Sequence, residues 1–178
     1  MSEKGDNELI ERCKSGEKQA WEDLVEKYHR VVFNVAFRML NDRSEAEEIT
    51  QAVFVRIVER LQDFDSKHKF FSWIYKIAVN ESLNHRRSRN GKERISEEIQ
   101  SQEISPDKRY EEAEISAGVR QALMRLTEEY RAVVVLRHFQ GLAYDEIAKI
   151  LEVPEKTIKS RLFTARLRLR EILMRNLT

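Results

Sequence analysis

Between Lys156 and Arg170 the chain spaces cations and one aromatic as a single helix face. At about 100° per residue, Lys156, Lys159, Phe163, Arg166 and Arg170 fall on one arc, while Ile158, Leu162, Ala165, Leu169 and Ile172 fall on another. The apolar stripe would pack, and the basic arc would be free to enter a groove. From Pro154 to the last residue, seven basic residues stand against two acidic ones, so the segment carries +5. Cations in such an array neutralise phosphates and release their counterions. The competing reading is a basic helix face that is merely solvated. What precedes the segment favours the first reading. Gly141-Leu142-Ala143-Tyr144-Asp145-Glu146-Ile147-Ala148-Lys149-Ile150-Leu151 reads as a short helix with Ile147, Ala148, Ile150 and Leu151 inward. Pro154 then stands at the first turn of a second helix running from Glu155, where a missing N–H costs nothing. A short helix, a tight turn and a longer basic helix make a helix-turn-helix.

A second group joins aromatics to cations. Phe70, Trp73, Ile74 and Ile77 share one helix face and are most simply core, whereas Phe71 and Tyr75 point a quarter turn or more away, beside Lys67, Lys69, Lys76, Arg86 and Arg87. Rings stack on unpaired bases while cations hold the backbone; the alternative is that these rings are also core. A third group is apolar. Ile49, Val53, Ile57 and Leu61 cover one side of a helix, and Phe54, Val55 and Val58 reach round from it. That arc fits either a central helix buried by its neighbours or one that also docks on a partner.

Catalytic groupings are scarce. Glu26-Lys27-Tyr28-His29 has the Glu-x-x-His spacing of di-iron bundles, yet no second such pair surrounds His68, His85 or His138. Phosphate-binding glycine loop, nucleophile elbow and zinc motif are all missing from the sequence. Cys13 is the single cysteine, which rules out an intramolecular disulfide and a cysteine-based zinc cluster. Its neighbours Arg12 and Lys14 would lower its pKa if it were exposed; half-buried, it would be inert. The expectation is a non-enzyme without metal or cofactor.

The elements that must carry these groups are helical throughout. In 178 residues, 35% are charged and only 5 are Gly and 2 Pro, which favours an all-α protein. The net charge of +1 hides segregation, because residues 96–117 hold seven acidic and two basic residues, or −5. Met-Ser-Glu-Lys-Gly-Asp-Asn at the start has no signal-peptide core, and no apolar run approaches the ~20 residues that span a bilayer. A cytoplasmic protein without membrane insertion is expected. Asn7 would cap a helix through Lys14, Ser15-Gly16 would break it, and a long helix would occupy 18–40 with Trp21, Leu24, Val25, Tyr28, Val31, Val32, Val35 and Ala36 inward. Asn41-Asp42 would end it. Ser44 and Glu47 form a capping-box pair for a third helix to about Leu61, and 70–90 has the periodicity of a fourth. Residues 119–126 and 128–140 are again helical, with Gly141 as a stop. The reading is two small helical domains, 1–90 and 116–178, joined by a flexible linker over 91–115, the second domain containing the helix-turn-helix.

Taken in order, Ala46-Glu47-Glu48-Ile49-Thr50-Gln51-Ala52-Val53-Phe54, Phe70-Phe71-Ser72-Trp73-Ile74-Tyr75-Lys76-Ile77-Ala78-Val79-Asn80, and Tyr144-Asp145-Glu146-Ile147-Ala148 through Lys159-Ser160-Arg161-Leu162 resemble the bacterial sigma factors of the extracytoplasmic-function (ECF) type. The resemblance covers nearly the whole chain. It implies a first domain that binds the clamp helices of core RNA polymerase and opens the minus-10 promoter element. It implies a second that reads the minus-35 element in duplex DNA and contacts the polymerase flap. It also implies a linker threading toward the RNA exit path, and capture by an anti-sigma factor.

Residue by residue, the resemblance implies polymerase docking over 45–60, through Glu48, Gln51 and Phe54. It implies promoter opening over 63–87, where the 63–69 loop with Lys67 would hold a flipped base and Phe71, Tyr75, Asn80 and Arg86 would contact the single strand. The minus-35 contacts would come from Lys156, Lys159, Ser160, Phe163, Thr164 and Arg166. Three positions depart from the family pattern: Ala52, where an acidic residue is common, Thr164, where a basic one is usual, and Lys156, where glycine is common. Phe163 would meet a thymine methyl, or else pack on the previous helix. The runner-up reading is a helix-turn-helix regulator whose N-terminal helices sense or dimerise; such a protein has no use for an α-helical segment, 70–87, that is both aromatic and basic.

Overall fold

The structure, a computed structural model, describes residues 3–93 and 117–175, and among them every regular element is a helix. The acidic run over 96–117 and the linker expected over 91–115 lie outside the described residues, apart from 91–93 and Ala117, which belong to helix ends. Four helices come first: α1 (Glu3–Lys14), α2 (Lys18–Leu40), α3 (Arg43–Arg60) with a 3-10 turn Leu61–Asp63, and α4 (Phe70–Glu93). Leu24, Tyr28, Val32, Val35 and Ala36 of α2 bury against Ala46, Ile49, Val53 and Ile57 of α3 and Phe70, Ile74, Ala78 and Val79 of α4. Each large apolar side chain so buried contributes about 1.5–3 kcal/mol. The expected inward side of α2 needs one correction: Val25 is exposed and Trp21 and Val31 only half-buried, because these three lie at the edge of the stripe that Leu24, Tyr28, Val32 and Val35 bury.

Two caps differ from expectation. Helix α1 already runs from Glu3, so Asn7 lies inside it rather than at its start. Asp42, not Ser44, caps α3: left-handed Asn41 (φ 59°) turns the chain, Asp42 is extended, and its carboxylate accepts the Glu45 N–H at 2.9 Å. Ser44 is by then helical, and Glu47 pairs with Arg43 at 3.2 Å instead of reaching back to a cap. Replacing Asp42 by alanine should lower stability by about 1 kcal/mol, read as a shift of the urea midpoint. Replacing Ser44 should leave the midpoint where it is.

Cys13 packs with Leu9 and Ile10 inside the bundle. Burial raises its thiol pKa more than Arg12 lowers it, so the inert reading holds.

The second unit comprises α5 (Ala117–Met124), α6 (Glu128–Val134) winding into a π turn over Val135–Phe139, α7 (Tyr144–Leu151) and α8 (Glu155–Arg175). Gly141, at φ 69°, ends the π turn where a side chain would be strained. Leu123, Val133, Leu136, Ile147, Ile150, Ile158, Leu162 and Ala165 form the core. The units touch: α2 meets α5 and α6 at its C-terminal end, and α4 meets α7. Where α2 ends, the fully buried Arg131 donates from Nε to Leu123 O (2.9 Å), from Nη2 to Met124 O (2.9 Å) and Leu126 O (3.0 Å), and from Nη1 across to Met39 O (2.6 Å).

Candidate functional site

On α8 the buried residues Ile158, Leu162 and Ala165 fix the rotation of the helix. Lys156, Lys159, Ser160 and Arg166 consequently face solvent, as does Phe163 at 66% exposure, with Thr164 half-buried at the edge. Phe163 is thus no packing residue of the preceding helix in this arrangement. Lys159 is held by Glu155 at 2.6 Å, which raises its pKa, and its Nζ sits 5.7 Å from the centre of the Tyr144 ring. Arg166 donates from Nε to His138 Nε2 at 3.4 Å. Burial, then Arg166 and Arg137, push the His138 pKa below its ordinary value, which keeps the acceptor nitrogen neutral near pH 7. The face is a row of positioned donors around one aromatic, suited to a duplex groove.

The loop before α4 builds a different surface. Asp65 accepts the Lys67 N–H at 2.9 Å, turning the chain so that Ser66, Lys67, His68 and Lys69 are all exposed. With Asp6 and Asn7 of α1 and with Phe70 and Phe71, they line a hollow of about 170 Å³. A cavity of about 150 Å³ accepts benzene, so a single unstacked ring fits this volume. Phe71 is half-buried, edge-on to Tyr75 at 6.0 Å, with Lys69 Nζ 5.5 Å from its centre. Asn80 is exposed further along the helix and Arg86 half-buried. Tyr75 is 6% exposed and donates to Gln140 Oε1 at 3.0 Å; burial pushes its hydroxyl up to about 12.

The third surface is the outer side of α3. Buried Ala46, Ile49, Thr50, Val53 and Ile57 define the inner face, and opposite it Glu48, Gln51, Val55 and Val58 are exposed, the valines at 56% and 59%. Phe54 borders this face, its ring stacked on His29 at 6.2 Å. An apolar centre with a polar rim is what a docking helix presents. The wide apolar arc therefore divides between core and surface, and His29 is used in packing.

Some residues of consequence escaped sequence reading. Arg131 interrupts an apolar run, Tyr130 to Leu136, and nothing in periodicity distinguishes a buried guanidinium from a snorkelling one. Asp6 and Asn7 join the hollow only because α1 folds back over the 66–71 segment. Asp6 is also buried, paired with Lys27 at 2.5 Å.

Sigma-70 region 2 matches residues 24–92, and Sigma-70, region 4 matches residues 116–169. The RNA polymerase sigma-H factor of Pseudomonas aeruginosa is 30% identical, over 93% of this chain and 92% of that protein. The ECF RNA polymerase sigma factor SigW of Bacillus subtilis is also 30% identical, over 91% of this chain and 93% of its own. Among solved structures, the sigma factor RpoE of Bartonella quintana, crystallised with the anti-sigma factor NepR, shares the fold at a TM-score of 0.74 and 24% identity, covering 86% of this chain and 96% of that one. CnrH, solved with the cytosolic domain of CnrY, shares it at a TM-score of 0.69 and 22% identity, over 93% and 94%.

Proposed function

Since this chain belongs to the ECF sigma factors of the sigma-70 family, we propose a division of labour among its three surfaces. The protein is a transcription initiation factor: it binds core RNA polymerase, recognises the minus-35 and minus-10 elements, and helps melt promoter DNA. Family membership sets aside the reading as an independent helix-turn-helix regulator. The protein acts in the cytoplasm, where polymerase is, and catalyses no reaction of its own. No helix among the described residues is long and apolar enough to cross a membrane.

Domain 1–90 docks on the polymerase clamp helices through Glu48, Gln51 and Phe54, with Val55 and Val58 between them. Domain 116–178 reads duplex minus-35 DNA through Lys156, Lys159, Ser160, Phe163, Thr164 and Arg166, and meets the flap. The hollow beside Lys67 and Phe71 takes an unstacked minus-10 base, and Tyr75, Asn80 and Arg86 track the strand. Extracting a base costs a few kcal/mol, which a ring-sized hollow edged by cations offsets. An anti-sigma factor that separates or covers the two domains is the expected inhibitor.

The observation that carries this reading is the coexistence of two nucleic-acid chemistries: a donor-rich exposed helix for paired DNA, and a cation-edged hollow with aromatic walls for unpaired DNA. Replacing Phe71 by alanine should reduce permanganate reactivity of melted thymines about tenfold while closed-complex affinity changes less than twofold. Equal losses in both would make the ring structural. Replacing Lys156 or Arg166 by alanine should weaken duplex binding across sequences and flatten its salt slope by about 1 each, whereas Lys159 and Phe163 variants should change minus-35 preference.

A further inference from the structure

Part of the surface assigned above to the single strand, around Tyr75, Lys76 and Arg86, is covered in this structure, while Lys67 and Asn80 stay exposed. Tyr75 donates its hydroxyl to Gln140; Lys69 pairs with Glu146 at 3.0 Å, and Lys76 with Glu152 at 2.7 Å. Arg86 and Arg87 both reach Glu128, at 3.6 and 3.7 Å. Every group on the α4 side is a cation or a phenol. Opposite them stand carboxylate and amide oxygens, with the Met124 sulfur, 3.8 Å from Arg86, as the one exception among these contacts. The C-terminal unit thus presents acceptors, three of them anionic, where a strand would present phosphates and base edges. The covered surface is also selective: the α8 face stays open, with Lys156, Lys159, Phe163 and Arg166 all exposed.

We propose that the C-terminal domain is a built-in competitor of the minus-10 strand, its acidic edge at Glu128, Glu146 and Glu152 docking on α4 so that the free chain can engage duplex DNA but not single-stranded DNA. The proposal rests on the assignment of α4 to the strand. The contact is built to be reversible. The ion pairs are partly solvent-exposed, with side-chain exposures of 48% and 18% for Lys69 and Glu146 and 37% and 70% for Lys76 and Glu152, so each adds modestly and is screened by salt. A polymerase that holds the two domains apart would uncover Tyr75 and Lys76 together. Binding of a strand by a chain closed about nine-tenths of the time is weakened about tenfold relative to the open form.

The test uses the full chain carrying Glu146→Gln with Glu152→Lys. Glutamine keeps the acceptor that Glu146 offers the Ala143 N–H at 2.9 Å, so α7 retains its start while losing the charge that holds Lys69. A control with the same charge change on α2, Glu22→Gln with Glu26→Lys, separates domain opening from general electrostatics. The probe is a fluorescent oligothymidylate of about 12 nucleotides, with the radius of gyration followed by X-ray scattering. The acidic-edge variant should bind the probe about tenfold more tightly than wild type and scatter as a larger particle, while the control shifts affinity less than twofold. Exchanging the pair, Lys76→Glu with Glu152→Lys, should restore the compact radius. Tightening no greater than the control's, or a wild-type chain already extended, overturns the proposal. Run-off transcription with core polymerase keeps the two readings apart. Variants that transcribe but bind the probe like wild type sink only the competitor, whereas a chain that never directs transcription sinks the strand assignment beneath it.

Discussion

Replacing Arg131 by methionine should unfold the C-terminal domain at temperatures where the N-terminal bundle stays intact. The guanidinium is fully buried and serves four carbonyls, three of them in Leu123–Leu126 at the end of α5 and one, Met39 O, at the end of α2. Met39 and Met124 lie at helix C-terminal ends, where carbonyls lack an internal partner, while Leu123 O also accepts the Leu126 N–H at 3.1 Å; a cation there also meets the negative ends of the helix dipoles. Burial and then Arg86, against the opposing Glu128, lower its pKa to about 10, so it remains charged at neutral pH. Methionine would fill the volume and satisfy none of the acceptors. Buried carbonyls left without donors cost about 1–3 kcal/mol each before water enters, so a net loss of about 3–5 kcal/mol is expected. That is a large part of the stability of a small domain. Lysine would rescue poorly, because three donors on one nitrogen cannot span four carbonyls in a guanidinium's plane. Hydrogen exchange separates the domains: amides of Ala132–Leu136 should lose protection while those of Ile74–Val79 keep theirs. A variant within 1 kcal/mol of wild type would mean that Arg131 is no anchor.

The second large effect concerns α3. Introducing aspartate at Val55 and Val58 together should leave the melting temperature within a few degrees of wild type, since both side chains are more than half exposed. It should nevertheless weaken association with core polymerase by at least about a hundredfold. Two carboxylates would have to lose water in the apolar centre of the interface, a cost of about 3 kcal/mol or more, and 1.4 kcal/mol is about tenfold in affinity. Alanine at Gln51, on the rim, should cost far less. Affinity within threefold for the double aspartate variant, measured by fluorescence anisotropy, would remove this face from the polymerase contact.

Much of this architecture could be read from periodicity and punctuation. Helix α2 begins and ends where the apolar repeat, Gly16 and Asn41 place it, and α7 and α8 meet at the turn before Pro154 because Ile147, Ile150, Ile158 and Leu162 can share one core only in that way. The rotation of α8, and with it the exposure of Lys159 and Phe163, followed from the same stripe. Local competition was harder to read. Asp42 and Ser44 are both acceptable caps, and the left-handed Asn41 decides between them. Tertiary covering was illegible. The angle of Tyr75 away from its own core could be derived, but that Gln140 lies over it depends on how two units meet, which no helical period encodes. Arg131 is the same case in a stronger form: its four partners come from two segments, one of them 92 positions away. The family resemblance implies only a base-holding role for the 63–69 loop; that Asp6 and Asn7 join it in lining a hollow emerges only when α1 is packed.

The central claim is that one chain grips core polymerase while its two domains handle paired and unpaired promoter DNA separately. Mixing the purified chain with core polymerase and a genomic promoter library, then mapping run-off transcripts, tests it most directly. Chain and polymerase should co-elute, and the start sites should share two short upstream elements, with preference at the distal one altered by Lys159 and Phe163 variants. A chain that elutes apart from polymerase and binds DNA only as its own dimer, with no start site dependent on it, would contradict it.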